Sequence, residues 1–134
     1  MAATVLHGED GLRSAIGTHL GYSDWLHVDA ERLALFAQAT GDPAATYLAL
    51  SVSNMFLPQI VEVRGFAMGI NYGTDAMRFP TVLGAGMTLR GGAALDDMVD
   101  VRGGVQTRMM ITIEDREGAP VCTIESISRW LHAS

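Results

Sequence analysis

The sequence predicts an α+β fold in which an antiparallel sheet wraps around one apolar helix. Three observations support this prediction. Residues 43–57 are apolar almost all round, which is typical of a buried helix. Several later segments alternate between apolar and polar residues, as β-strands do. Turn residues at 115–118 join the last two of these segments as a hairpin. A helix without a polar face needs a curved sheet around it, which gives the predicted architecture.

Two helices are predicted ahead of the main run of strands. Asp29 is the expected N-cap of a helix that runs to residue 39, and Gly41 is its stop signal. Asp42 followed by Pro43 predicts the start of the buried helix, because proline suits the first turn and aspartate caps its free amides. Pro58 marks the expected end of that helix.

The predicted strands follow the buried helix. They cover residues 61–69, 76–79, 87–95, 105–113 and 121–131, and a further strand is expected within 18–28. Gly91 and Gly92 interrupt one of them, which predicts a bulge or a sharp twist. The turn at 115–118 makes an antiparallel hairpin of the last two.

Length and composition are those of one domain, expected over 1–134. The chain has 134 residues, 49% of them hydrophobic, and a net charge of −6. It has no lysine, and its arginines are scattered, which argues against a nucleic-acid partner. The lone Cys122 suits a reducing compartment, and no stretch approaches the roughly 18 apolar residues of a membrane span. Because residues 1–12 are also unlike a signal peptide, we expect a cytoplasmic protein without a membrane partner.

Two blocks of residues carry a resemblance to a known family. The first block is Gly21-Tyr22-Ser23-Asp24-Trp25, with Phe36-Ala37 and Thr40-Gly41-Asp42. The second block is Asn71-Tyr72-Gly73, followed by Arg78-Phe79-Pro80, Gly86 and Leu89-Arg90. Together they resemble the MaoC-like (R)-specific enoyl-CoA hydratases, and the resemblance covers nearly the whole chain.

The resemblance implies a hotdog fold, in which an antiparallel sheet wraps a long central helix. Members of the family usually pair two such folds side by side, so it also implies a homodimer or a heterodimer of hotdog chains. They add water to, or remove it from, enoyl thioesters carried on coenzyme A or an acyl carrier protein. The implied partners are therefore an acyl-CoA, an acyl carrier protein or a polyketide-like small molecule. No cofactor is implied.

The sequence departs from the family pattern at the catalytic segment. In the family, the aspartate of the Gly-Asp pair is followed a few residues on by a histidine, and the two act as general acid and base. Asp42 matches the aspartate, but no histidine lies between His27 and His132. Roughly twenty residues of the usual segment have no counterpart. Since each such group contributes about 10²–10⁴-fold in rate, we expect little ordinary hydratase activity.

Asp42 and Tyr47 are the predicted catalytic residues. Asp42 is the member of the acid–base pair that the resemblance places, although it could equally cap a helix. Tyr47 lies four residues before Ser51, so the two hydroxyls could point from one helix face at a bound ligand. The alternative is that both are core residues whose hydroxyls bond to nearby backbone.

The predicted substrate-binding residues are Ser51, Asn71, Tyr72 and Arg78. The resemblance places Asn71, Tyr72 and Arg78 near the pocket, where an arginine suits a phosphate or the partner subunit. Residues 71–73 could equally form a turn, with glycine supplying a positive φ. Cys122 is expected to be a buried, inert thiol, and the histidines show no metal-ligand spacing.

These features favour a divergent enzyme of the dehydratase, isomerase or cyclase type. It would act on an acyl thioester or polyketide-like substrate without the complete Asp/His pair, since positioning alone accelerates intramolecular reactions. One alternative is a non-catalytic subunit that binds an acyl chain or pairs with an active hotdog partner. Another is an ordinary enoyl-CoA hydratase whose active segment is absent from this sequence.

Overall fold

A computed structural model describes residues 2–134, which contain four helices and eight strands. In chain order these are β1 (Thr4–His7), α1 (Gly8–Ala15), β2 (His19–Tyr22), β3 (Leu26–His27), α2 (Ala30–Thr40), α3 (Leu48–Ser51), α4 (Ser53–Ile60), β4 (Val61–Arg64), β5 (Met68–Arg78), β6 (Thr88–Val101), β7 (Gly104–Glu114) and β8 (Pro120–Leu131). Within this described range, each helix is too short or too polar to cross a membrane.

Six strands form one antiparallel sheet. Five of them follow the order β2-β6-β7-β8-β5, and β3 also pairs with β6. β1 and β4 form a separate parallel pair. In β7 the residues from Val105 to Ile113 are buried at every second position, which confirms the predicted inward face. The hairpin of β7 and β8 is also confirmed.

The central helix consists of α3 and α4, and the sheet wraps around it. Phe56 and Ile60 of α4 are 1% and 2% exposed. Burial of side chains this large stabilises the fold by about 1.5–3 kcal/mol each. Phe56 lies directly against Gly91 of β6, where an added Cβ would come within 2.9 Å of the Phe56 side chain. An apolar helix inside an antiparallel sheet confirms the predicted fold class.

The start of the central helix differs from the prediction. The helix begins at Leu48 and not at Pro43, and the residues between them form a turn. Ala45 within this turn has a φ of 51°, in the left-handed region that a right-handed helix excludes. The helix therefore cannot run through residues 43–47, although their composition favours one.

The end of the central helix also differs. Pro58 lies inside α4 and does not end it. The helix continues to Ile60, and the amide of Val61 still bonds to the carbonyl of Leu57. A proline near the end of a short helix removes only one intrahelical bond, so the helix tolerates it.

The strands after the helix are divided differently from the prediction. Residues 61–69 form β4 and the beginning of β5, and β5 continues through 76–79 almost to its end. Asn71, Tyr72 and Gly73 lie inside β5, so the turn alternative for them is wrong. Tyr72 is the extra residue of a bulge, because the register with β8 shifts between Asn71 and Gly73.

The bulge expected at Gly91 and Gly92 is absent from the described ladder. Both residues pair continuously with β7, and the register shifts instead between Leu95 and Asp97. Packing explains why both positions are glycine. A Cβ at Gly91 would lie 2.9 Å from the Phe56 side chain, and a Cβ at Gly92 would lie 2.9 Å from the Tyr22 ring. They allow close approach, and the register with β7 is continuous at both of them.

α2 begins and ends as predicted, within one residue. The Asp29 side chain accepts a hydrogen bond of 2.8 Å from the backbone amide of Arg32. Gly41 has a φ of 74° and its amide bonds to the carbonyl of Ala37, which completes a left-handed C-cap. Every side chain of α2 stays at least partly exposed, and Leu35 is 60% exposed. α2 is therefore the least buried of the four helices, since each of the other three has buried residues.

Candidate functional site

A cleft of about 300 Å³ lies between the beginning of the central helix and the sheet. We name it the central cleft. Its lining residues are Leu50, Ser51, Ser53 and Asn54 from the helix and Asn71, Gly73, Thr74, Ile111, Ile124 and Ser126 from the sheet. Ser51 and Asn71, two of the predicted substrate-binding residues, are brought together here. Every lining residue is either apolar or polar and uncharged.

Strand register explains why polar side chains face this cleft. Ser126 of β8 pairs with Thr74, and Ser128 pairs with both Asn71 and Thr107. Thr107 is 1% exposed and faces the central helix, so its cross-strand partners lie on the same side of the sheet. A band of uncharged polar side chains thus crosses three strands on the inner face.

Most of these polar side chains are available to a ligand. Within residues 2–134, two of the inner-face hydroxyls bond to the protein: Thr74 donates to the Glu125 carbonyl, and Thr107 accepts from the Trp130 indole. The remaining polar side chains around the cleft form no hydrogen bond within that range: Ser51, Ser53, Asn54, Asn71, Ser126 and Ser128. A cleft lined in this way can donate and accept hydrogen bonds without carrying charge.

A second cleft, of about 220 Å³, lies beside the first on the same face of the sheet. We name it the apolar cleft. It is lined by Leu57, Pro58, Val61, Val63, Met109, Ser126, Ser128 and Trp130. Ser126 lines both clefts, so the two spaces are neighbours on either side of this residue. The Trp130 indole donates a 3.0 Å hydrogen bond to Thr107, which holds the ring in place as one wall.

Asp42 lies in the turn ahead of the central helix and outside the lining of the central cleft. Its Oδ1 accepts a hydrogen bond of 3.0 Å from the Ala44 amide, and its Oδ2 accepts one of 3.0 Å from the Thr46 amide. Both carboxylate oxygens therefore cap backbone amides of the turn. The geometry supports the capping alternative for Asp42, and its catalytic role stays a prediction.

Tyr47 is the N-cap of α3, one helical turn before Ser51. The Ser51 amide bonds to the Tyr47 carbonyl, so the two residues are stacked as their spacing predicts. The Tyr47 ring turns outward, is 55% exposed, and packs against Phe79 with the ring centroids 5.5 Å apart. Ser51 lines the central cleft and Tyr47 does not. The catalytic role of Tyr47 also stays a prediction.

Tyr72 and Arg78 lie on the outer face of the sheet, away from the central cleft. The Arg129 guanidinium carbon is 3.8 Å from the centroid of the Tyr72 ring, a cation–π contact on that outer face. Arg78 pairs with Thr123, the neighbour of the buried Cys122, and alternation puts it on the same outer face. The fold thus separates these two predicted residues from Asn71.

Sequence reasoning missed several residues of the cleft: Ser53, Asn54, Thr74, Ser126 and Ser128. The useful signal was in β8, where two serines occupy the same face as Ile124 and Trp130. Polar residues on a strand face that packs under an apolar helix are unusual, because burial without a bonding partner is unfavourable. That pattern marks a face that meets something other than the helix.

Cys122 is fully buried, as expected. Burial raises the pKa of its thiol to about 11, so the group stays protonated at neutral pH and is a poor nucleophile. Across residues 2–134, the histidine, cysteine and acidic side chains form no group of three or more that could hold a metal ion.

Comparison with curated proteins finds 3-hydroxyacyl-thioester dehydratase Z of Mycobacterium tuberculosis, which is 31% identical over 141 residues. The match covers 90% of this chain and 93% of the relative. Since 90% of 134 residues is about 120, roughly twenty aligned positions of the relative have no partner in this chain. That number agrees with the roughly twenty residues predicted to have no counterpart in this chain. Comparison with models of protein families finds no match.

Comparison with solved structures shows the hotdog fold. The monoamine oxidase regulatory protein from Archaeoglobus fulgius superimposes with a TM-score of 0.78 at 15% identity, covering 100% of both chains. A MaoC-like dehydratase from Rhodospirillum rubrum superimposes with a TM-score of 0.66 at 14% identity, covering 90% of this chain and 94% of the other. At these identities the likeness establishes the fold.

Proposed function

Because the chain belongs to the MaoC-like hotdog dehydratase family, we propose that it binds an acyl thioester in the central cleft and acts on it by positioning, without an Asp/His pair. The observation that carries this proposal is the lining of the cleft. Side chains that can donate or accept hydrogen bonds surround it on both walls, and each of them is uncharged. The related dehydratase Z is named for 3-hydroxyacyl thioesters, and a thioester of this class offers matching oxygen atoms.

The uncharged lining limits the chemistry of the proposed site. Dehydration or isomerisation next to a thioester removes a proton from carbon, and a positioned acid or base contributes about 10²–10⁴-fold to such a step. Hydroxyls and amides do not supply such a group at neutral pH. Positioning alone reaches effective molarities of about 10⁵–10⁸ M for intramolecular reactions. Cyclisation in which a hydroxyl of the bound acyl chain attacks its own thioester carbonyl is therefore the reaction that this lining supports best: the C–O bond forms, the C–S bond breaks, and the hydroxyl proton leaves with the thiol.

Ser51 and Asn71 have defined roles in this proposal. They lie on opposite walls of the central cleft, one on the helix and one on the sheet. Their hydroxyl and amide can donate to the thioester or keto oxygen, hold it in place and stabilise negative charge that develops on it. Asp42 keeps the turn before the helix in place, and the thioester does not need it as a base.

A second candidate is a subunit that pairs with another hotdog chain. β5 is an edge strand, and Met68, Ile70 and Tyr72 on it are 55%, 36% and 57% exposed. An edge strand of 11 residues with exposed apolar side chains is a template for pairing with a second strand. A homodimer or a heterodimer formed through β5 would bring Tyr72 and Arg78 to the interface.

Two measurements on the purified full-length chain test these proposals. Calorimetric titration with octanoyl-CoA is expected to show binding, and the crotonyl-CoA hydration rate is expected to match that of buffer alone. Dehydratase Z from M. tuberculosis is the positive control for the hydration assay. Hydration by this chain at a comparable rate would contradict the proposal. Hydration that appears only after a second hotdog protein is added would favour the subunit role.

A further inference from the structure

The inner face of β8 is divided between aliphatic and hydroxyl side chains. Ile124 is 3% exposed and packs in the core, and Trp130 is partly buried against it. Ser126 and Ser128 lie between them on the same face and are partly buried. A serine at such a position adds little apolar burial, and within residues 2–134 neither hydroxyl has a hydrogen-bond partner. No buried side-chain polar atom within residues 2–134 lacks a hydrogen-bond partner, so both serine hydroxyls are open to solvent and accessible to a bound molecule.

The opposite wall repeats this pattern on the helix. Ser51, Ser53 and Asn54 line the central cleft, and Ser53 is 9% exposed. Hydrogen-bonding groups thus face the cleft from two elements. Along β8, two residues on one face are about 6.5 Å apart, so the serines can meet separate atoms of an extended ligand. A single carbonyl oxygen would engage only one part of this band.

The apolar cleft has the opposite character. Leu57, Val61, Met109 and Trp130 are among its wall residues, and Ser126 separates it from the neighbouring central cleft. A ligand that occupies both spaces passes from hydrogen-bonding surroundings into hydrocarbon surroundings at this residue. Since each wall residue of the two clefts is uncharged, a carboxylate or ammonium group on that ligand would lose water without gaining an ion-pair partner.

We propose that the substrate is an acyl thioester whose chain has one oxygen-bearing part and one hydrocarbon part. This inference rests on the proposed function. One part of its chain carries several uncharged oxygen groups, hydroxyl or keto, which bond to the side chains of the central cleft. The other part is a hydrocarbon group that fills the apolar cleft. Ser126 lies between the two clefts, and its hydroxyl favours a ligand that carries an oxygen atom at this point of its chain.

The preference follows from hydrogen bonding. A plain alkyl chain in the central cleft would bury Ser51, Asn71 and Ser126 without partners. Leaving a buried polar group unpaired lowers affinity by about tenfold or more for each group. A site of this kind discriminates strongly against an analogue that lacks the matching hydroxyl.

Calorimetric titration of the full-length chain with three thioesters of equal chain length tests the inference. The probes are decanoyl-CoA, 3-hydroxydecanoyl-CoA and 3,5-dihydroxydecanoyl-CoA. We expect affinity to rise in that order, with the dihydroxy compound at least tenfold tighter than decanoyl-CoA. The substitution Ser126→Ala removes the hydroxyl at the boundary and is expected to reduce this preference about tenfold, because the dihydroxy compound loses a hydrogen bond and decanoyl-CoA no longer leaves this hydroxyl buried without a partner. Ser51→Ala tests the helix wall in the same way.

The matched control is Ser14→Ala, because Ser14 is an exposed serine on α1, outside both cleft linings. It is expected to keep the full preference. Equal affinities for the three thioesters would overturn the inference and leave the proposed thioester binding intact. A preference that survives both Ser126→Ala and Ser51→Ala would also overturn it. Failure of all three thioesters to bind would overturn the proposed function itself.

Discussion

The carboxylate of Asp42 accepts a hydrogen bond of 3.0 Å from the backbone amide of Thr46, four residues further along the chain. Its other oxygen accepts a bond from Ala44, and between these two residues Ala45 adopts a left-handed conformation. A non-glycine residue in that conformation is strained, so the two bonds offset a real cost. The side chain predicted to be the catalytic aspartate stabilises a tight turn in this structure.

Substitution of Asp42 is therefore expected to affect stability and not ligand binding. Asp42→Ala removes both capping bonds and should lower the free energy of unfolding by about 1–2 kcal/mol. Asp42→Asn keeps one acceptor oxygen and should have a smaller effect. Urea denaturation measures the first quantity, and calorimetry with octanoyl-CoA measures the second. Unchanged stability combined with weaker binding of octanoyl-CoA would show instead that Asp42 acts in the ligand site and not as a cap.

Gly91 controls the distance between the central helix and β6. A Cβ at this position would lie 2.9 Å from Phe56, which is itself fully buried and cannot move away easily. Gly91→Ala is expected to lower the free energy of unfolding by about 1–3 kcal/mol through overpacking. Gly84→Ala is the matched control, because the space around its Cβ is open and its φ is negative or extended. Equal urea midpoints for the two variants would contradict this account.

The exposed edge strand predicts an oligomer. If β5 pairs with a second chain, Ile70→Lys should give a monomer, because a lysine on an edge strand disfavours pairing with another strand. Light scattering coupled to size-exclusion chromatography measures the mass of each variant. Val99→Lys is the control, since Val99 is 47% exposed on β6 and lies away from β5. A dimer that persists in Ile70→Lys would place the interface elsewhere.

Cys122 predicts a loss of stability at alkaline pH. Burial raises the pKa of its thiol from an ordinary value near 9 to about 11 in the folded state. The folded state therefore holds this proton more tightly than the unfolded state does. The resulting stabilisation is fully present below pH 9 and is lost as the pH rises toward 11.

Urea denaturation at pH 8 and pH 11 measures that loss, with Cys122→Ala as the comparison. The alanine variant should be less stable at pH 8 because of the cavity it leaves, but it should lose less stability on going to pH 11. The two proteins differ only at this residue, so the difference between their stability losses isolates the thiol. Parallel losses in the two proteins would show that the thiol ionises equally well in the folded and unfolded states.

The fold was predictable where local pattern and burial agree. β7 shows a strict alternation of buried residues, and α2 has an N-cap at Asp29 and a C-cap at Gly41. These signals lie within a few residues of the structure they specify, so a single sequence reveals them. β1 and α1 were not predicted. β1 pairs with β4, and Thr4 lies opposite Val61, far along the chain. The residues near Thr4 do not indicate that this segment pairs with β4.

Only some residues of the candidate site were predictable from the sequence. One bulge in β5 explains why the predicted residue Tyr72 does not line the cleft. Asn71 and Ser51 do line the same cleft. Tyr72 is the extra residue of the bulge, so it points to the outer face beside Arg129. Because side chains alternate along a strand, the position of a bulge determines which later residues face inward. That position depends on pairing with β8, which the residues of β5 do not encode by themselves.

The turn at residues 42–46 makes a short connection between α2 and α3, and over the matched region the aligned dehydratase has roughly twenty residues more than this chain. The chain forms the hotdog fold with this short connection in place. Doubling the length of a loop costs only about 0.6 kcal/mol in closure entropy. A reporter peptide inserted between Pro43 and Ala44 should therefore leave the fold intact. Its main cost is the loss of the hydrogen bonds from Ala44 and Thr46 to Asp42. The protein thus offers an insertion point for a fluorescent label or an affinity tag, one residue from the capping carboxylate of Asp42.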